Sequence, residues 1–176
     1  MASTAQHNPT AIDVPRTCLS FRLSIVTPLL NTTQRQHWAK RRKATSNLAG
    51  LIRLETQGRR PPQPFEYAVV DVVRYSRGVP DFDNLVGGVK ALIDCLQPPG
   101  LPFKTRIGDG PYRWISKFPY GLGIIRHDGP ECVKLNVRAV RVATLAEQGT
   151  HVTITCLPTS PQQPECRPCS SIPTTL

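Results

Sequence analysis

The stretch YAVVDVVRYSRGVPDFDNLVGGVKALIDCL, residues 67–96, constrains this chain more than any other. Its first ten residues are rich in β-branched and aromatic side chains and predict a strand. RGVP is the turn that follows. From Leu85 onward the apolar residues Leu85, Val89, Leu92, Ile93 and Leu96 recur at helical spacing, so a helix is expected over 85–96. Gly87 and Gly88 weaken that helix by about 1 kcal/mol each relative to alanine, and the expected compensation is close backbone packing. Between strand and helix stand two carboxylates, Asp81 and Asp83.

The flanking segments point to one α+β domain. CLSFRLSIV (18–26) predicts a strand with Phe21, Leu23 and Ile25 on one face. The segment from Thr27 to Gln57 opens as a loop and continues as a basic helix, with Trp38, Leu48, Leu51 and Ile52 facing inward. GRRPPQPFE (58–66) ends that helix through Gly58 and three prolines. Residues 97–111 read as a Pro/Gly loop and 112–121 as a short strand. A long alternating strand is expected over 132–143 and an edge strand over 151–157. Residues 1–17 read as a flexible leader and 158–176 as a disordered tail of Pro, Ser, Thr, Gln and Cys. The domain is thus expected over 18–157, a typical size for a single core.

Lys and Arg total 22 against 12 Asp and Glu, a formal charge of +10. That excess favours a polyanionic partner, nucleic acid or an acidic membrane surface. No stretch approaches the roughly 20 apolar residues of a bilayer span, and the polar N-terminus lacks a signal-peptide core. The expectation is a soluble, cytoplasmic protein. Cys18, Cys95, Cys132 and Cys156 lie in or beside apolar segments and read as small core residues.

If residues 79–83 are extended, Asp81 and Asp83 point to the same side. Two unpaired carboxylates in one small volume repel, and one tends to protonate. A hard divalent cation removes the conflict, because Mg²⁺ takes oxygen ligands. Asp109, in the IGDGP turn, offers a third carboxylate. Such a cation polarises a phosphate and activates water, while lysines and arginines hold the backbone. The competing reading is local: Asp83 as a helix N-cap and Asp81 as a turn residue. An EF-hand is excluded, because no D-x-D-x-D-G run and closing glutamate follow.

Taken together, PDFDNLVGGVKALIDCL, the N-terminal PLLNTTQRQHWAKRRK and the late strand CVKLNVRAVRV resemble the RusA-type Holliday junction resolvases, over roughly residues 19–143. The resemblance implies an α+β fold: a mixed β-sheet with two main helices packed on one side, forming a two-fold dimer. It implies a Mg²⁺-dependent endonuclease, with Mn²⁺ able to substitute, that cuts branched DNA such as a four-way junction in recombination and repair. A phage or prophage origin and action on the DNA of a bacterial host come with it. A homodimer follows because symmetric cutting needs two active sites. Asp81, Asp83 and Asp109 match the metal-binding aspartates, with Asp128 in IIRHDGP as the alternative third. Lys90 matches the catalytic lysine. Asp94, one turn on, either pairs with Lys90 or joins the site. Asn31 matches a substrate-contacting asparagine or caps a turn. Where the family carries an acidic DD turn, this chain has Gly108-Asp109. The rival to an enzyme is a non-catalytic DNA-binding accessory protein that kept the fold.

Between Arg35 and Arg60 there are eight Lys/Arg and one acid. A solvated helix face competes here with DNA contact, and Arg35, Lys40, Arg41, Arg42 and Lys43 are the phosphate-binding candidates. Trp38 is expected in the core and His37 outside the chemistry. CRPC (166–169) with His151 and Cys156 has four zinc-type ligands, but zinc is not expected from a tail of this composition.

Overall fold

Alternating apolar residues on β-strands build one buried sheet face, which thins out at the last strand of the sheet, where only Val133 is buried. The computed structural model describes residues 16–100, 102–105, 113–116 and 119–157; for 16–18, 102–105 and 113–116 it describes the backbone alone. The strands are β1 (Arg16–Leu23), β2 (Ala68–Ser76), β5 (Val133–Arg141) and β6 (Gly149–Cys156), in the order β1-β6-β2-β5. β6 runs antiparallel to both β1 and β2, whereas β2 and β5 are parallel. Register aligns Leu19, Ile154, Val70 and Leu135 in one row and Phe21, Val152, Val72 and Val137 in the next. Their members on β1, β6 and β2 form the sheet side of the core, with Val137 packed against it and Leu135 exposed.

Two helices cover that face. α2 (Trp38–Glu55) contributes Leu48, Ala49 and Ile52, and α3 (Phe82–Leu96) contributes Val89, Leu92, Ile93, Cys95 and Leu96. A short helix, α1 (Leu30–Gln34), precedes α2. The opposite face of the sheet is polar: Ser20 bonds His151 at 2.9 Å, and Asn136 donates to Asp71 at 2.9 Å. The mixed sheet and its two main helices agree with the α+β class expected from sequence. No described helix is long and apolar enough to cross a membrane.

Several expectations are corrected. β1 starts at Arg16, so strand replaces the last two residues assigned to the leader. Ile25, expected inside, lies past the strand end and is 39% exposed. β6 is not an edge strand, because β1 and β2 flank it on both sides; alternation reports which face is buried, not how many neighbours a strand has. The 97–111 loop contains a strand, β3 (Pro102–Thr105), paired antiparallel with β4 (Arg113–Ser116). Its proline sits at the first strand position, where a missing N–H is tolerated. Trp38 is 61% exposed. Residues 37–44 are all exposed, so the first two turns of α2 lie clear of the core.

Cys95 and Cys132 are buried free thiols, as expected, and Cys156 is half-buried. Burial, then the neighbouring Asp94 charge, pushes the Cys95 thiol up to about 12. The thiolate is the reactive form, so Cys95 is expected to resist a disulfide reagent at pH 8 until the chain unfolds. Peptide mapping after native labelling checks this; modification of Cys95 as fast as Cys156 would contradict it.

Candidate active site at the start of helix α3

β2 ends at Ser76, and α3 begins at Phe82 after five intervening residues. Asp81 is the N-cap of α3 rather than an extended-strand residue, and Asp83 falls in the first helical turn. The two carboxylates are therefore not presented by strand alternation. Asp81 Oδ1 accepts from the Asn84 backbone N–H at 2.9 Å, and Oδ2 accepts from Asn84 Nδ2 at 2.7 Å. A carboxylate bonded in this way favours its charged form. Asn84, through its backbone amide and then its side chain, holds Asp81 below the usual carboxylate range.

Asn84 also reaches a distant part of the chain. Its Oδ1 accepts from the Asn31 backbone N–H at 3.2 Å, tying α1 to the start of α3. The two glycines explain how α1 comes so near. A Cβ on Gly88 would lie 1.9 Å from the Pro28 carbonyl oxygen, and one on Gly87 would lie 2.8 Å from Leu30 Cδ2. The expected close backbone packing is thus present, and Pro28–Leu30 is what packs there. The same segment is pinned from the sheet side: Thr27 N–H donates to Thr150 Oγ1 at 3.0 Å, and Arg74 Nε donates to Thr27 O at 3.0 Å.

Lys90 lies seven residues beyond Asp83, about 10 Å of helical rise on nearly the same face. Its ammonium bridges two carboxylates, Asp94 at 3.0 Å and Asp128 at 2.8 Å. The Lys90–Asp94 pair is the one expected from i,i+4 spacing. The backbone of Ile124 and Ile125 bonds Leu96 O at the end of α3, and the returning chain carries Asp128 to Lys90. These groups rim a cavity of about 700 Å³ with an apolar floor that includes Val86, Ala91 and Leu48. The hydrogen bond from Lys90 is the main influence holding Asp128 below the usual carboxylate range, and the same bond raises Lys90.

The sign of the resulting pH dependence follows from those directions. The Asp128 contribution to stability is fully present above the ordinary aspartate value of about 3.9 and is lost as pH falls through its lowered folded value. The Lys90 contribution is present below the ordinary lysine value and fades as pH rises through its raised one. In an NMR titration Asp128 is expected to stay ionised to lower pH than a free aspartate, and Lys90→Met is expected to raise its midpoint. An unchanged Asp128 midpoint in that variant would contradict the pairing.

The other sequence candidates fall on exposed surface. Arg35 caps the end of α1, and Lys40, Arg41, Arg42 and Lys43 lie on the exposed first turns of α2. Arg41 reaches the cavity beside Lys90, and Arg42 Nε donates to Tyr120 Oη at 3.3 Å. His37 is the N-cap of α2, accepting from the Ala39 N–H. Asp109 and the CRPC segment lie outside the described residues. Sequence reasoning missed Asn84 as the link between Asp81 and Asn31; the available signal was the N-cap-to-N3 spacing of Asp81 and Asn84.

The donor chemistry of Asp81 and Asp83 fits a hard cation. Both are exposed oxygen donors, and Asp81 is kept ionised while each of its oxygens retains a lone pair. A second group, His127, Glu131 and Cys132, brings its side chains together, with His127 Nε2 3.2 Å from Cys132 Sγ and 3.4 Å from Glu131 Oε1. There the Gly129 N–H donates to His127 Nδ1 at 3.1 Å. In a neutral ring this leaves the proton on Nε2, which suits a hydrogen-bond donor rather than a metal ligand. No family model, curated protein or solved structure matches this chain.

Proposed function

We propose that the protein is a divalent-metal-dependent endonuclease of the RusA resolvase type, acting as a homodimer on four-way or otherwise branched DNA. The observation that supports it best is the ionised Asp81, two residues before Asp83 and held by Asn84 and through it to Asn31. The exposed, basic half of α2, which packs toward the far end of α3 where Cys95 Sγ donates to Thr45 O, offers phosphate contacts from Lys40, Arg41, Arg42 and Lys43. Asp81, Asp83 and Asp109 are the residues that would hold Mg²⁺ or Mn²⁺, which when bound supplies Lewis acidity at the phosphodiester. Asn84 sets the orientation and charge of Asp81. Lys90 has three N–H donors. Asp94 and Asp128 take two, and the third is left to stabilise negative charge on a phosphate oxygen.

The deciding experiment is cleavage of a four-way junction by the full chain in Mg²⁺, in EDTA, and by Asp83→Asn in Mg²⁺. Metal-dependent nicking lost in the variant supports the reading. Wild type that binds the junction without cutting it would replace the enzyme with the non-catalytic accessory protein.

A further inference from the structure

Arg74 is a half-buried cation without an acidic partner. It projects from β2 and bonds neutral groups alone: Nε donates to Thr27 O at 3.0 Å, and Nη1 donates to Ser76 Oγ at 2.6 Å. Ser76 in turn donates to Gly78 O at 2.6 Å. No carboxylate pairs with Arg74 among the described residues. Buried charges are ordinarily paired, because desolvation is costly and only an opposite charge offsets it. Consistent with this, burial lowers the Arg74 pKa with no opposing acidic influence.

The guanidinium lines a cavity of about 370 Å³ whose walls also include Ser76, Arg77, Leu29, Val79 and Pro80. A guanidinium has five N–H donors in a fixed fork that matches phosphate oxygens. Thr27 and Ser76 use two of them and hold the plane still, so the remaining donors are pre-oriented. Arg77 adds a second, exposed cation on the rim. The last two wall residues, Val79 and Pro80, lead directly into Asp81.

We propose that this cavity is a phosphate subsite, in which Arg74 and Arg77 bind a DNA backbone phosphodiester neighbouring the one cut at Asp81 and Asp83. The phosphate chemistry stands on Arg74 and its cavity; the assignment of DNA as its source rests on the nuclease reading above.

Two probes test it on the full chain. Inorganic phosphate is titrated while the Arg74 Nε–Hε NMR signal is followed, and a fluorescent four-way junction is titrated in Ca²⁺ against wild type and Arg77→Ala. The expected results are a saturable shift at Arg74, and for Arg77→Ala about five- to tenfold weaker junction binding with a salt slope lower by about one. No shift at Arg74 together with unchanged affinity and slope overturns the subsite. A shift with phosphate but unchanged DNA binding overturns the DNA assignment in favour of a free-anion site. If both expected results appear and wild type still fails to cut in Mg²⁺, the subsite stands and the nuclease reading falls. Cutting by wild type with no effect of phosphate or of Arg77→Ala leaves the nuclease standing and removes the subsite.

Discussion

Replacing Gly88 with alanine is expected to lower the melting temperature by about 4–8 °C, whereas Gly87→Ala lowers it less. Both substitutions gain about 1 kcal/mol of helix propensity. They differ in what the new methyl meets. At Gly88 it would stand 1.9 Å from the Pro28 carbonyl oxygen, with the Leu29 Cα 3.1 Å away, so backbone must move. At Gly87 the nearest atoms, at 2.8–2.9 Å, are the Leu30 Cδ atoms, which a rotamer change moves, and its Cβ, which needs a small backbone shift, whereas at Gly88 all three are backbone. Overpacking that shifts backbone costs about 1–3 kcal/mol and occasionally more. At the upper end, less the propensity gained, the net loss is about 2 kcal/mol, or about 4–8 °C at about 2–4 °C per kcal/mol for a chain of this size. Displacing Pro28 also draws Asn31 from Asn84, so the Asn84 side-chain NMR signals should shift in Gly88→Ala. Thermal melts by circular dichroism decide the matter: equal melting temperatures for Gly88→Ala and wild type would refute the close contact.

The second large effect separates the proposed metal-ligand role of Asp81 from its role as a helix cap. Removing a ligand that helps neutralise developing charge forfeits several kcal/mol of transition-state stabilisation, about a thousandfold in rate. Asp81→Asn and Asp83→Asn are both expected to lose junction cleavage on that scale. Asparagine is as good an N-cap as aspartate, so Asp81→Asn should melt within about 1 °C of wild type. Asp81→Ala, which leaves the Asn84 N–H without its acceptor, should lose both cleavage and about 3 °C. Full activity in Asp81→Asn would remove Asp81 from the chemistry and leave it a helix cap.

Legibility from sequence varied with the range of the interaction involved. The α3 stripe of Leu85, Val89, Leu92, Ile93 and Leu96 was readable because one helix face against one sheet dictates its spacing. The Lys90–Asp94 pair was readable for the same local reason. Trp38 was misread because its bulk suggested burial, whereas the first two turns of α2 have no sheet beneath them. The strand at Pro102–Thr105 was hidden by prolines that mark turns as readily as strand starts. The extended arrangement of Asp81 and Asp83 failed because the Asp81 cap draws the chain into the helix before Asp83.

The chain's own pattern of residues determined an α+β domain, a basic helix, and a pair of aspartates where β2 gives way to α3. Those are consequences of period, charge and neighbouring residues. Tertiary structure alone decided that β6 lies between β1 and β2, that Asn84 joins Asp81 to Asn31 across 53 positions, and that Asp128 meets Lys90 across 38. It alone left Arg74 without an acidic partner among the described residues. Such contacts depend on which backbone can approach which, and at α3 that approach was set by the missing side chain of Gly88.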